Sequence, residues 1–207
     1  MKKLLCMALA LCLVFALAAC GDDPSPSTSG GDSDVITDGS TPTDLTAVTS
    51  PTPTPDPEPI NTLTVYGINI IINGQVTGVG ISGVSYEDGK LTITDVTYQN
   101  DSADAPFIYF EGGDLEIVIS GEVTLASDTG AAVIGNGGDE ALTISGDGTL
   151  NLSATGAAAL DLGGDLTVSC ALNVTGAPAA DVAGEIAAGE GFSVTANDES
   201  TLTVAAA

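Results

Sequence analysis

Histidine, tryptophan and arginine are missing from this 207-residue chain, and its three basic residues are Lys2, Lys3 and Lys90. Without histidine the chain cannot build a Ser-His-Asp triad, a Cys/His pair or a histidine-ligated metal site. Cations are scarce as well. All 28 acidic residues lie beyond residue 19, where Lys90 is the only side chain of opposite sign. Such a surface is repelled by phosphate backbones and anionic lipid headgroups, so nucleic-acid binding and peripheral electrostatic membrane binding are set aside. The same charge favours cations, and it also keeps a crowded surface protein soluble by self-repulsion.

What is present begins with an address. Lys2 and Lys3 precede an apolar run from Leu4 to Leu17, shorter than the roughly 20 residues a transmembrane helix needs, which reads as a secretory signal. Leu17-Ala18-Ala19-Cys20-Gly21 resembles the lipobox of bacterial lipoproteins. That resemblance implies cleavage after residue 19, a diacylglyceryl group on Cys20 and a membrane anchor of two or three acyl chains, at about 0.8 kcal/mol per buried CH₂. An ordinary secretory signal, or an uncleaved anchor helix, would use the same apolar run. With Cys6 and Cys12 removed and Cys20 capped, Cys170 remains alone and no disulfide is open to the mature chain. Between apolar strand-like segments, Cys170 is expected to be a small buried thiol or a turn residue, with no histidine to activate it.

Residues 20–60 are rich in Pro, Thr, Ser, Gly and Asp, ending in Ser50-Pro51-Thr52-Pro53-Thr54-Pro55-Asp56-Pro57-Glu58-Pro59. They cannot bury enough apolar area to offset the entropy of ordering, so a disordered linker is expected there, with the proline-alternating part near polyproline II. Fully extended at about 3.1 Å per residue, it would reach on the order of 120 Å.

Residues 61–207 carry an internal repeat. Gly112-Gly113-Asp114, Gly137-Gly138-Asp139 and Gly163-Gly164-Asp165 recur, each followed by apolar residues in alternation. Three columns result if the repeats are stacked. Leu91/Ile93, Ile117/Ile119, Leu142/Ile144 and Leu166/Val168 form the first; Val96/Tyr98, Val123/Leu125, Leu150/Leu152 and Leu172/Val174 the second; Ile108/Phe110, Ala132/Ile134, Leu160/Leu162 and Ala180/Val182 the third. Three period-2 segments per roughly 25 residues, without any helical period, are the arithmetic of an all-β right-handed parallel β-helix of about five coils. One coil cannot bury its inward face, so coils stack at about 4.8 Å and share a core. An antiparallel sandwich also has short strands, but does not predict Gly-Gly-Asp at a fixed interval.

Ala141-Leu142-Thr143-Ile144-Ser145-Gly146-Asp147-Gly148-Thr149-Leu150-Asn151-Leu152 and Gly164-Asp165-Leu166-Thr167-Val168 resemble the coils of pectate-lyase-like β-helix lipoproteins of Gram-positive surfaces, usually labelled carbohydrate-binding domain proteins. The resemblance covers about residues 61–204. It implies a β-helix, calcium as cofactor and binding of acidic or cellulosic polysaccharide at the cell surface. Pectate lyases use an arginine to abstract a proton, and this chain has none. A polygalacturonase-type hydrolase needs carboxylates at set separations, and no tight Asp-Asp or Asn-Asp cluster stands on a strand face. The domain is therefore read as non-catalytic.

Candidate ligand residues follow from the same stacking. Asp114, Asp139 and Asp165 would lie one above another, and Glu122 with Asp147 would form a second pair at Ser-Gly-acid turns. Carboxylates about 5 Å apart repel and recruit a cation, and calcium suits them because it takes six to eight oxygens. Aspartates that merely satisfy turn donors would look the same in sequence. Aromatic residues gather in the first third of the domain. Tyr86 and Tyr109 are the candidates for stacking on sugar rings, while Tyr98 and Phe110 take inward phases and close the core. A purely structural or adhesive spacer is the alternative function. The C-terminal Leu202-Thr203-Val204-Ala205-Ala206-Ala207 carries no obvious cap, so end-to-end pairing with another copy is a further expectation.

Overall fold

A computed structural model describes residues 58–207; the signal segment, Cys20 and the linker through residue 57 lie outside the described residues. Every described element is a strand. A meander of β1 (Thr62–Val65), β2 (Ile68–Ile72) and β3 (Gln75–Val76) comes first, and β4 (Val84–Glu87) then forms a hairpin with β5 (Lys90–Thr94). The coils proper start at β5 and continue through β6 (Thr97–Asn100), β7 (Ile108–Glu111), β8 (Leu115–Ser120), β9 (Glu122–Ser127), β10 (Ile134–Asn136), β11 (Leu142–Ala154), β12 (Leu160–Leu162), β13 (Leu166–Thr175), β14 (Ala180–Val182) and β15 (Ile186–Ala188). A closing hairpin of β16 (Phe192–Asn197) and β17 (Thr201–Ala206) completes the chain.

Three parallel ladders run through the coils. Face one stacks β5, β8 and the first halves of β11 and β13, then β15. Face two stacks β6, β9 and the second halves of β11 and β13. Face three stacks β7, β10, β12 and β14. The alternation read from the sequence is what drives this: in β8, Leu115, Ile117 and Ile119 are buried while Glu116, Val118 and Ser120 face outward. In β13 the inward line runs unbroken through Leu166, Val168, Cys170, Leu172 and Val174. Each fully buried Leu or Ile contributes about 1.5–3 kcal/mol, and only neighbouring coils can supply the cover.

The solenoid is a stack of about three turns at roughly 26 residues per turn, which corrects the expectation of five coils. The difference lies at the ends, where strands that alternate like coil strands pair antiparallel instead and serve as caps. At the first end β1 lies antiparallel on β7, with Leu63 opposite Phe110 and Val65 opposite Ile108. At the other, β17 lies antiparallel on β13, with Leu202 opposite Val174 and Val204 opposite Leu172. The segment that reads as an uncapped terminus in sequence is thus itself half of a cap. Its turn is tied by Asp198, whose carboxylate accepts the Ser200 N–H at 2.9 Å and the Ser200 hydroxyl at 3.0 Å, holding it below the usual carboxylate range.

Two columns are also corrected by two residues. Face two has the register expected, Tyr98 over Leu125, Leu152 and Val174. On face one, however, Leu142 stacks on Leu115 and Ile144 on Ile117; on face three, Ile134 stacks on Ile108 and Asn136 falls on Phe110. Steps along face one are 26, 27, 24 and 20 residues. The stack therefore narrows toward its C-terminal end. Part of the shortening is at the corner between faces one and two, where Gly146-Asp147-Gly148 of one coil is answered by Cys170 alone in the next.

Candidate functional site

An open groove of about 460 Å³ lies where the N-terminal cap meets face one. One wall is the cap, through Glu58, Pro59, Ile60, Ile71, Gly74 and Val76; the other is Tyr86, Asp88, Gly89 and Lys90 of the β4–β5 hairpin, with Asp114, Leu115, Glu116 and Thr143 behind. Tyr86 reaches it because β4 pairs antiparallel on the edge of face one, opposite Leu91. Its ring is partly buried against the core, and that burial pushes the phenol above its ordinary pKa.

Lys90 and Glu116 are register partners on adjacent parallel strands, which sets their side chains side by side on the outer surface. The Lys90 ammonium sits 2.9 Å from Glu116 Oε2 and donates to Oε1 at 3.0 Å. Ser145, one coil further, donates its hydroxyl to the same Oε1 at 3.1 Å. Lys90 is half-exposed, so the pair orders the groove wall more than it stabilises the fold.

A smaller hollow of about 330 Å³ adjoins this groove, sharing Glu58 and Asp114 with it and lined further by Gly112, Gly113, Asp139 and Glu140. Glu140 Oε1 accepts the Gly112 N–H at 2.7 Å. Its other oxygen, Oε2, is buried without a hydrogen-bond partner among the described residues. Nearby on face three, the Tyr109 hydroxyl donates to Glu111 Oε2 at 3.3 Å. Burial first, then the charge and hydrogen bond of Glu111 and the charge of Glu140, raise the Tyr109 pKa.

The expected aspartate column is not a column. Asp114 and Asp165 each directly precede a face-one strand, but the coil between them has Ala141 there, and Asp139 sits two residues earlier. Asp114 Oδ1 accepts the Ala141 N–H and Asp165 Oδ1 accepts the Glu185 N–H, both at 2.8 Å. Each aspartate thus ties its coil to the next by a charge-assisted hydrogen bond. Asp95, which had no assigned role in sequence, does the same for Glu122 at 3.0 Å. Glu122 lies opposite Thr149, so it and the exposed Asp147 are not register partners either. Among the described residues no group of three or more Asp, Glu or Cys side chains is arranged to hold a metal ion.

Tyr86 and Tyr109 belong to different sheets, the ten-stranded and the seven-stranded one, and form no common row. A separate aromatic group does form. Tyr66 stacks on Tyr98 with ring centroids 5.6 Å apart and leans on Phe107 at 5.4 Å, while the Tyr98 hydroxyl donates to the Ser82 carbonyl at 2.8 Å. Phe107 is buried and Tyr98 packs on the core, so this group pins the cap. Lys90, Glu116 and Glu58 were not singled out from sequence. The one signal for Lys90 was its solitude as a cation.

Cys170 is 1 % exposed, and burial pushes its thiol from 9.0 up to about 11. It is not a poised nucleophile. The folded state holds the proton more tightly than the unfolded chain, so this contribution to stability is complete below about pH 9 and lost as pH rises toward 11. Iodoacetamide at about pH 9 is expected to modify the native protein at least tenfold more slowly than the urea-unfolded chain. Equal rates in the two states would show an accessible thiol.

No family model, no curated protein and no solved structure matches the chain.

Proposed function

We propose that this chain is a lipoprotein anchored to the bacterial cell membrane through Cys20, exposed at the cell surface, whose right-handed β-helix binds carbohydrate in the groove between the N-terminal cap and face one. The winding sense follows from the near-universal right-handedness of parallel strand crossovers. The observation that carries the binding reading is a concavity of about 460 Å³ combining the Tyr86 ring with the polar groups of Asp88, Lys90 and Glu116. An aromatic face and a few convergent hydrogen-bonding groups are what one or two sugar rings require. The domain is read as acting by binding: it lacks the arginine that pectate lyases use, and no tight Asp-Asp or Asn-Asp cluster of the kind a carboxylate hydrolase needs stands on a strand face.

An acidic polysaccharide would bring negative charge to a negative surface. A calcium ion held between Asp114 or Asp139 and the glycan would resolve that conflict, the oxygen-rich chemistry being suitable. Calcium-dependent binding is accordingly part of the proposal for acidic chains, and removing calcium with a chelator should abolish it. Asp165, Glu122 and Asp147 lie outside both hollows, and replacing them should leave ligand affinity unchanged.

Calorimetric titration of the full-length protein with neutral, acidic and amine-bearing oligosaccharides tests the reading. Tyr86→Ala should weaken whichever saccharide binds by about tenfold or more, the loss expected for one aromatic anchor, with an unchanged circular dichroism spectrum. Unchanged affinity in Tyr86→Ala would move the site elsewhere. A folded protein that binds none of the saccharides would leave the spacer reading.

A further inference from the structure

We infer that the groove selects a saccharide that carries its own positive charge, an oligosaccharide of 2-amino-2-deoxy sugars with free amines. This rests on the carbohydrate reading above and specifies the ligand class within it. The groove wall holds four carboxylates, Glu58, Asp88, Asp114 and Glu116, against one ammonium, that of Lys90. That ammonium is not available to attract an anion, because both oxygens of Glu116 hold it at 2.9 and 3.0 Å. Lys90 is also the only basic residue of residues 61–207, so the domain itself supplies no second cation.

The groove is therefore a concave surface of net negative charge, and concavity focuses the field of its charges on whatever enters. A sugar ammonium there meets carboxylates on both walls and the face of the Tyr86 ring, which attracts a cation as well as an apolar sugar face. A second feature points the same way. Glu140, in the adjoining hollow that shares Glu58 and Asp114 with the groove, adds a further carboxylate, and its buried Oε2 has no hydrogen-bond donor among the described residues. A ligand rich in N–H and O–H donors supplies what the walls lack. A uronate chain supplies the opposite.

The experiment is titration of the full-length protein with a β-1,4-linked glucosamine tetramer, its N-acetylated counterpart and a galacturonate tetramer, at about pH 6 where amines are protonated and carboxylates ionised. The free-amine tetramer should bind at least about tenfold tighter than the N-acetylated one, and its affinity should fall with added salt. Asp88→Asn suits a residue with φ of 51°, since Asn tolerates that conformation, and Glu58→Gln stands in the opposite wall. Both variants should weaken the free-amine tetramer several-fold and the N-acetylated one by clearly less, without changing the melting curve. Equal affinity for the free-amine and N-acetylated tetramers would overturn the amine inference and leave the carbohydrate reading standing. Binding of galacturonate alone, dependent on calcium, would also overturn it in favour of the bridged acidic ligand. Binding of none of the three would remove both.

Discussion

Phe110→Ala should lower the unfolding free energy by about 3–5 kcal/mol, the cost of deleting a buried ring and leaving its cavity. Phe110 is completely buried on β7, between Leu63 of the antiparallel cap and Asn136 of the next coil. The hole cannot close, because hydrogen-bonded strands on both sides fix the spacing of the backbones. In a domain of this size the melting temperature should drop on the order of 10 °C. Nearest-neighbour coupling makes the damage local as well. Hydrogen exchange should therefore accelerate first in β1 and β2, then in β7, while the ladder of β11 and β13 keeps its protection. Uniform loss of protection would mean that cap and coils unfold as one unit. A loss below about 1 kcal/mol would mean that the ring is not packed as described.

Gly146→Ala should be comparably severe, about 3 kcal/mol or more, for a different reason. Gly146 has φ of +119°, a conformation that strains any L side chain by about 1–3 kcal/mol. A Cβ there would also run into the carbonyl oxygen of Ile119 on the coil below. That neighbour is ladder backbone and cannot rotate away, so overpacking adds about 1–3 kcal/mol. Gly130→Ala is the control. It shares a positive φ of +88° but has open space around the added methyl, and should cost about 1–2 kcal/mol. Thermal melts of the two variants separate strain from collision. Equal losses would show that the corner between faces one and two has room that the stacked backbones deny it.

Both substitutions sit where reading of the sequence succeeded and then stopped. Alternation in Leu115-Glu116-Ile117-Val118-Ile119, and its recurrence in later segments, is enough to predict strands with one buried face. The inward phase of Phe110 and the outward phase of Tyr109 followed from it and are what the structure has. Alternation repeats every two residues, however, so it leaves the register ambiguous by two. Gly-Gly-Asp looked like a ruler for the coil and was not one. It marks where a turn needs small residues and an acceptor, and Glu140-Ala141 after Asp139 lengthens that turn, so Leu142 meets Leu115 and not Ile117. The aspartate stack disappeared with the two-residue shift.

The groove was half legible. Tyr86, Asp114 and Asp139 were chosen as ligand residues from the scarcity of aromatics and the recurrence of carboxylates, and they do line the two adjoining hollows. Glu58 and Lys90 are not legible in that way, since one lies in the proline-rich stretch ahead of the repeats and the other is a lone charge on a strand.

By itself the sequence determined the all-β composition, a coil period of roughly 25 residues and the inward and outward faces of the strands, together with the absence of any residue able to run histidine or arginine chemistry. These are local or compositional properties, set by which side chains alternate with which. Tertiary structure alone decided that the first and last strands pair antiparallel as caps, that coils narrow toward the C-terminal end, and that Lys90 meets Glu116 beside Tyr86. Those outcomes depend on contacts between segments far apart in the chain, where the energy of closing one coil against another outweighs any preference of a single segment.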